Sequence, residues 1–107
     1  MIEAEIYKAL GDPVRLEMVR RLADGAPYTI GTLSKDLGVS RQGARKQIQV
    51  LVSANVVHLT PKGRETAVQL DTERLRLARE FISKLERQWD QRLTALKVFA
   101  EGRERSE

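Results

Sequence analysis

Residues 34–51 read Ser34-Lys35-Asp36-Leu37-Gly38-Val39-Ser40-Arg41-Gln42-Gly43-Ala44-Arg45-Lys46-Gln47-Ile48-Gln49-Val50-Leu51. The pattern is the end of one short helix, a tight turn at Leu37-Gly38-Val39, and a second helix. Glycine can take the left-handed conformation that ends a helix without steric cost. Ser40 stands where a hydroxyl can cap the next helix by accepting a bond from an unpaired amide. Leu33, Leu37, Val39, Ala44, Ile48 and Leu51 are spaced so that the two helices share one core at a steep angle. Arg41, Gln42, Arg45, Lys46 and Gln49 fall on the other side of the second helix. This is the layout of a helix-turn-helix whose second helix enters a DNA major groove.

Upstream, Ile2, Ile6, Ala9 and Leu10 recur at helical spacing and predict a first helix over residues 2–10, stopped by Gly11. Asp12-Pro13 starts the next one, with Asp as N-cap and Pro at the first position, where its missing N–H is no loss. Val14, Leu16, Val19 and Leu22 give that helix its apolar stripe, with Met18 and Ala23 alongside. Arg15 reads either as a salt-bridge partner or as a DNA contact. Gly25 ends the helix, Ala26-Pro27-Tyr28 is an extended link, and Thr29 caps a third helix from Ile30 to Leu37.

Downstream, the recognition helix runs from Arg41 to about Ala54, and Asn55 is a left-handed cap. The period then changes to two. Val56–Thr60 and Glu65–Leu70 are strand-like, and Pro61-Lys62-Gly63-Arg64 between them is a basic turn. Two strands with such a turn, directly after a recognition helix, make a wing. Asp71 or Thr72 caps a last helix from about Glu73 to about Glu101. Its apolar residues keep a heptad: Leu75, Ile82, Trp89 and Leu96 in one row, Ala78, Leu85 and Phe99 in the other, which Arg92 interrupts, widened by Phe81, Leu93 and Val98. A stripe that long exceeds what so small a domain can cover, so the helix is expected to pack against a second copy of itself. The predicted fold is mainly α with a small β-hairpin, in the order α-α-α-α-β-β-α. Residues 1–101 form one domain and 102–107 a flexible tail.

Composition agrees. A chain of 107 residues holds one small domain. Residues 1–64 carry ten Lys/Arg against six Asp/Glu, residues 65–107 nine against nine, and no acid stands between Asp36 and Glu65. A basic, acid-free segment centred on a helix-turn-helix is the footprint of phosphate binding. The chain has no cysteine, which excludes disulfides and thiolate metal or redox sites. No apolar run is long enough to span a membrane, and Met1–Glu5 opens no signal-peptide pattern, so a cytoplasmic protein is expected.

The order of elements resembles the ArsR type of winged-helix repressors. Tyr7-Lys8-Ala9-Leu10-Gly11-Asp12-Pro13-Val14-Arg15-Leu16-Glu17-Met18-Val19 is similar to that family's "aLgdptRlxIlxxL" opening. Thr32–Ser40, Ile48–Leu51 and Ala54–Val57 follow its helix-turn-helix pattern. Arg45-Lys46-Gln47-Ile48 replaces the family's Ser-Arg-His-Leu, and Asn55 stands where glycine is usual. The resemblance implies a homodimer on a roughly palindromic operator, with the first and last helices at the interface: here Ile2, Ile6 and Leu10 with Leu75, Ile82, Leu85, Trp89, Leu93 and Leu96.

For double-stranded DNA, Gln42 and Arg45 are the expected base readers, since Gln pairs with adenine and Arg with guanine. Ser40, Arg41, Lys46 and Gln49 are expected on phosphates, and Lys62 and Arg64 of the wing on backbone or minor groove. Gly43 either lets the helix approach the groove closely or is an indifferent surface glycine. Metal-sensing relatives use thiols in the third helix or Asp and His pairs in the last. Here Thr32-Leu33-Ser34-Lys35 has no thiol and the last helix no His, so no metal site and no cofactor is expected. His58, the only histidine, reads as surface or structural. No effector is legible. Paired acids, a nucleophile with its base, and a phosphate loop are all missing, which argues against an enzyme. The rival reading is a winged-helix module for protein contact or for architectural nucleic-acid binding.

Overall fold

The computed structural model describes residues 1–105, so Ser106 and Glu107 of the expected tail lie outside the described residues. The elements are α1 (Ile2–Leu10), α2 (Pro13–Leu22), β1 (Tyr28–Thr29), α3 (Ile30–Leu33), α4 (Arg41–Ser53), β2 (Val57–Lys62), β3 (Glu65–Leu70) and α5 (Thr72–Arg105). The chain is therefore a winged helix-turn-helix with one strand more than expected. That strand, β1, pairs antiparallel with β3 through Tyr28↔Val68 and Thr29↔Ala67, which gives a three-stranded sheet in the order β1-β3-β2.

Side-chain caps start α2, α3, α4 and α5 where the sequence placed them. Asp12 Oδ2 accepts from the amides of Val14 and Arg15 at 2.9 and 3.1 Å, with Pro13 at the first helical position. Thr29 and Thr32 form a reciprocal capping box. Ser40 Oγ accepts from the Gly43 amide at 3.0 Å. Asp71 Oδ1 accepts from Glu73 and Arg74 at 3.0 and 3.2 Å. Asn55 takes the left-handed conformation, at φ 59°.

One core joins these pieces. Ile6 and Ala9 of α1, Met18, Val19 and Leu22 of α2, Leu33 of α3, Ala44, Ile48 and Leu51 of α4, and Val56, Val57, Val68 and Ala78 are all buried. On α2 the buried face runs through 18, 19 and 22. Leu16, expected in the stripe, is exposed, and Met18, expected beside it, is fully buried.

The third helix is shorter than expected. It ends at Leu33 rather than Leu37, and the chain passes through left-handed residues at Asp36 (φ 57°) and Gly38 (φ 73°). Arg21 explains the early stop. Its guanidinium donates to the carbonyls of Leu33, Lys35 and Asp36 at 3.3, 2.6 and 3.3 Å. Those acceptors are satisfied by a side chain of α2, so the backbone need not continue as helix to satisfy them. Arg21 is held from behind by Glu17, which also takes two bonds from Arg20 at 2.8 and 2.6 Å.

In the wing, β2 and β3 pair from Val57↔Leu70 to Lys62↔Glu65, closed by Gly63-Arg64 with Gly63 at φ 65°. The pair that closes a two-residue turn exchanges hydrogen bonds and the next pair does not. Pro61, opposite Thr66, therefore turns its ring nitrogen outward, on the free edge of the sheet. His58 of β2 ties the wing to the start of α5 through a 2.7 Å contact between Nε2 and Asp71 Oδ2, so the lone histidine is a surface link in the scaffold.

Only the first turns of α5 rest on the domain. Ala78 is buried, its carbonyl accepts from the Tyr7 hydroxyl at 2.6 Å, and the Tyr7 and Phe81 rings lie 6.1 Å apart. From Lys84 to Gly102 every residue is exposed. The helix continues through the expected tail to Arg105. The molecule measures 76 × 25 × 25 Å and has a radius of gyration of 20.5 Å, against about 13 Å for a compact chain of this length. The long helix does not fold back over its own domain.

The Arg20 hydrogen bond leads, with Arg21 in support, in lowering the Glu17 carboxyl from 4.5 to about 2. A depressed carboxylate favours the fold above its unfolded pKa and loses that contribution as pH falls through the folded one. Wild type should exceed Glu17→Gln in stability at pH 7, and the gap should close between pH 4.5 and about 2. Urea denaturation of both proteins across that window tests this, and a gap that persists at pH 2 contradicts it.

Candidate nucleic-acid interface

The outward face of α4 follows from its inward one. With Ala44, Ile48 and Leu51 sealed in the core, the helical repeat puts Gln42, Lys46, Gln49 and Ser53 directly opposite. Arg41 and Arg45 lie on the flank toward the wing. Gly43, Gln47 and Val50 lie on the flank toward α1 and α2. Ser40, Arg41, Gln42, Arg45, Lys46 and Gln49 are all exposed.

The wing divides its two cations. Arg64 lines a cleft of about 310 Å³ together with Arg41 and Arg45, floored by Ile30, Ser34 and Thr66. Lys62 lies elsewhere, at a hollow bounded by Tyr28, Ala67 and the loop after α2. The structure thus brings Arg64 to the recognition helix and leaves Lys62 apart from it.

Two arginines that look like surface charge are brackets for this surface. Arg21 holds the turn before α4, as described. Arg15 donates through Nε to the Ala9 carbonyl at 2.6 Å, through one terminal nitrogen to the Lys8 carbonyl at 3.3 Å, and through the other to Gln47 Oε1 at 2.5 Å. It thereby satisfies carbonyls at the end of α1 and fixes the flank of α4 with one planar fork. Among the described residues Arg15 makes no ion pair: its acceptors are two carbonyls and an amide. Gln47 faces this clamp. The helical spacing of Arg15 with Met18, Val19 and Leu22 could have revealed its inward aim. Gly43 also serves the scaffold, since a Cβ there would meet Ser40 Oγ at 3.1 Å.

Of the residues expected at a dimer interface, Ile6 is withdrawn. It has no solvent-exposed surface and belongs to the core of the domain. Leu10 and Leu75 are half-buried, and Leu10 packs on that same core. Ile2, Ile82, Leu85, Trp89, Leu93 and Leu96 are exposed. Among the described residues no three His, Cys, Asp or Glu side chains could hold a metal ion, and no helix is long and apolar enough to cross a membrane.

A helix-turn-helix seated this way, with a wing beside it and a basic outward face, is the architecture of a DNA-binding transcriptional regulator. The helix-turn-helix domain family matches residues 10–60. The HTH-type transcriptional regulator Rv2034 of Mycobacterium tuberculosis is 38% identical over 88 residues, covering 82% of this chain and 78% of that one. The ArsR-like transcriptional regulator from Rhodococcus sp. RHA1 superposes with a TM-score of 0.80 at 28% identity, over 92% of each chain. A winged helix-turn-helix domain from Mycobacterium bovis shares the fold, with a TM-score of 0.62 at 19% identity over 82% of each chain. The chain belongs to the ArsR-type winged helix-turn-helix transcriptional regulators.

Arg15→Ala should cost about 1–3 kcal/mol of stability, since it orphans the Ala9 carbonyl and the Gln47 amide oxygen in a partly buried site. Urea titration measures this, and a variant as stable as wild type would show the clamp to be idle.

Proposed function

We propose that the protein acts as a homodimeric repressor on a roughly palindromic operator. The observation that carries this reading is the arm of α5, where Ile82, Leu85, Trp89, Leu93 and Leu96 are each at least 45% exposed at coiled-coil spacing. A face of that length and apolarity needs a partner in water, and a second α5 offers the same pattern in return. The Mycobacterium bovis domain with this fold is itself a homodimer. Pairing through α5 would hold two recognition helices at a fixed separation, suited to successive major grooves roughly 34 Å apart. Ile2, exposed on α1, would widen the seam.

On each half-site, Gln42 faces the bases and Lys46 and Gln49 flank it, with Ser40 and Arg41 toward the backbone. Arg64 meets the backbone beside the recognition helix, and Lys62 meets it from the far side of the wing. Occupancy of a promoter would block transcription. The exposed cations of α4, Arg41, Arg45 and Lys46, favour this reading over a protein-contact module, because a basic face suits a polyanion.

Trp89→Asp puts a charge in the middle of the stripe without touching the core, and it should give folded monomers. Sedimentation velocity reads this directly, and an intact dimer would remove the support for α5 pairing. Selection of wild-type protein against a random duplex library should return a palindromic consensus. Binding without any consensus would favour an architectural role.

A further inference from the structure

The six arginines of residues 1–64 fall into two sets. Arg15, Arg20 and Arg21 all end on carbonyls, an amide or a carboxylate. Arg41, Arg45 and Arg64 have no hydrogen-bond or ion-pair partner among the described residues, yet all three line the same cleft between α4 and the wing. Glu65 lines the same cleft but forms no ion pair with any of them. Three like charges around a concave surface repel one another, and an anion placed between them turns that repulsion into attraction. The planar fork of each guanidinium matches the oxygens of a phosphate.

We propose that this cleft is a phosphate pocket, in which Arg41, Arg45 and Arg64 close on a single phosphate group. Arg41 and Arg45 come from one flank of α4, a turn apart, and Arg64 closes the site from the tip of the wing. The proposal rests on the reading that this surface meets DNA and sharpens it in one respect. Arg45 grips the backbone rather than a guanine, and base reading falls to the outermost residues of α4: Gln42, Lys46 and Gln49. The phosphate can be a diester of the DNA strand lying between helix and wing. A free phosphate species with the same chemistry can also occupy the site and compete for it.

The test uses full-length wild type, Arg45→Gln and Arg45→Lys, with equal thermal melts as the folding control. Each is selected against a random duplex library and then titrated on its selected duplex across a salt series. For Arg45→Gln the consensus should be unchanged, the affinity lower by about tenfold, and the salt slope smaller by about one. Arg45→Lys, which keeps the charge, should recover most of the slope. Inorganic pyrophosphate is then titrated against the wild-type complex at constant ionic strength. Displacement beyond that by chloride, lost in Arg45→Gln, shows that free phosphate enters the pocket. No excess displacement, with the slope change intact, assigns the pocket to the DNA diester. The proposal is overturned if Arg45→Gln loses one base position of the consensus while its salt slope stays that of wild type. Failure of the DNA reading would look different: wild type would show no salt-dependent binding to any duplex. In that case calorimetry with pyrophosphate alone decides, and the absence of heat overturns the pocket.

Discussion

Ala44, Ile48 and Leu51 have almost no contact with solvent, and their burial sets the roll of α4 about its own axis. Every outward property of the molecule depends on that angle. Rotating the helix by a single residue would bring Arg45 toward the core and lift Ala44 into water. Burying an unpaired guanidinium is among the most expensive changes a fold can suffer. The apolar seat therefore has one acceptable orientation, and the outward row of Gln42, Lys46 and Gln49 follows from it. Arg15 and Arg21 then hold the helix and its preceding turn against sliding, each with one side chain spread over several acceptors.

Much of this was legible because it is local. Asp12-Pro13, Thr29, Ser40, Asn55 and Asp71 announce helix ends by chemistry that acts within a few residues, and all of them behave as read. The hairpin was legible too, although β2 runs from Val57 to Lys62 and takes in Pro61 and Lys62, which were expected in the turn. What escaped was the set of features that depend on distant partners. Strand β1 is two residues long and exists only because β3 passes beside it. The truncation of α3 depends on a guanidinium more than ten residues upstream. Arg15 looked like a surface cation because its acceptors are mostly backbone carbonyls, which carry no signature in a sequence. Ile6 fits an apolar stripe as well as any interface residue does, and its neighbours alone decide which side it serves.

The candidate site shows the same division. The residue types of α4 marked a surface for DNA from the start, and their exposure agrees. Spacing along α4 could not distinguish Arg45 from Gln42, because both lie off the buried face. The difference emerged only when the wing was in place, with Arg64 on the same side as Arg45 and Lys62 on the other.

Pro61 governs how these molecules can meet. The outer rim of β2 would otherwise be an open ladder of donors and acceptors, ready to accept a strand from a neighbour. A ring without a donor interrupts it next to the tip. Crowded side by side along a nucleic acid, or at high concentration during synthesis, wings cannot fuse into a continuous sheet through this edge. The same residue that shapes the hairpin protects the protein from the fibrous association open to an unguarded strand.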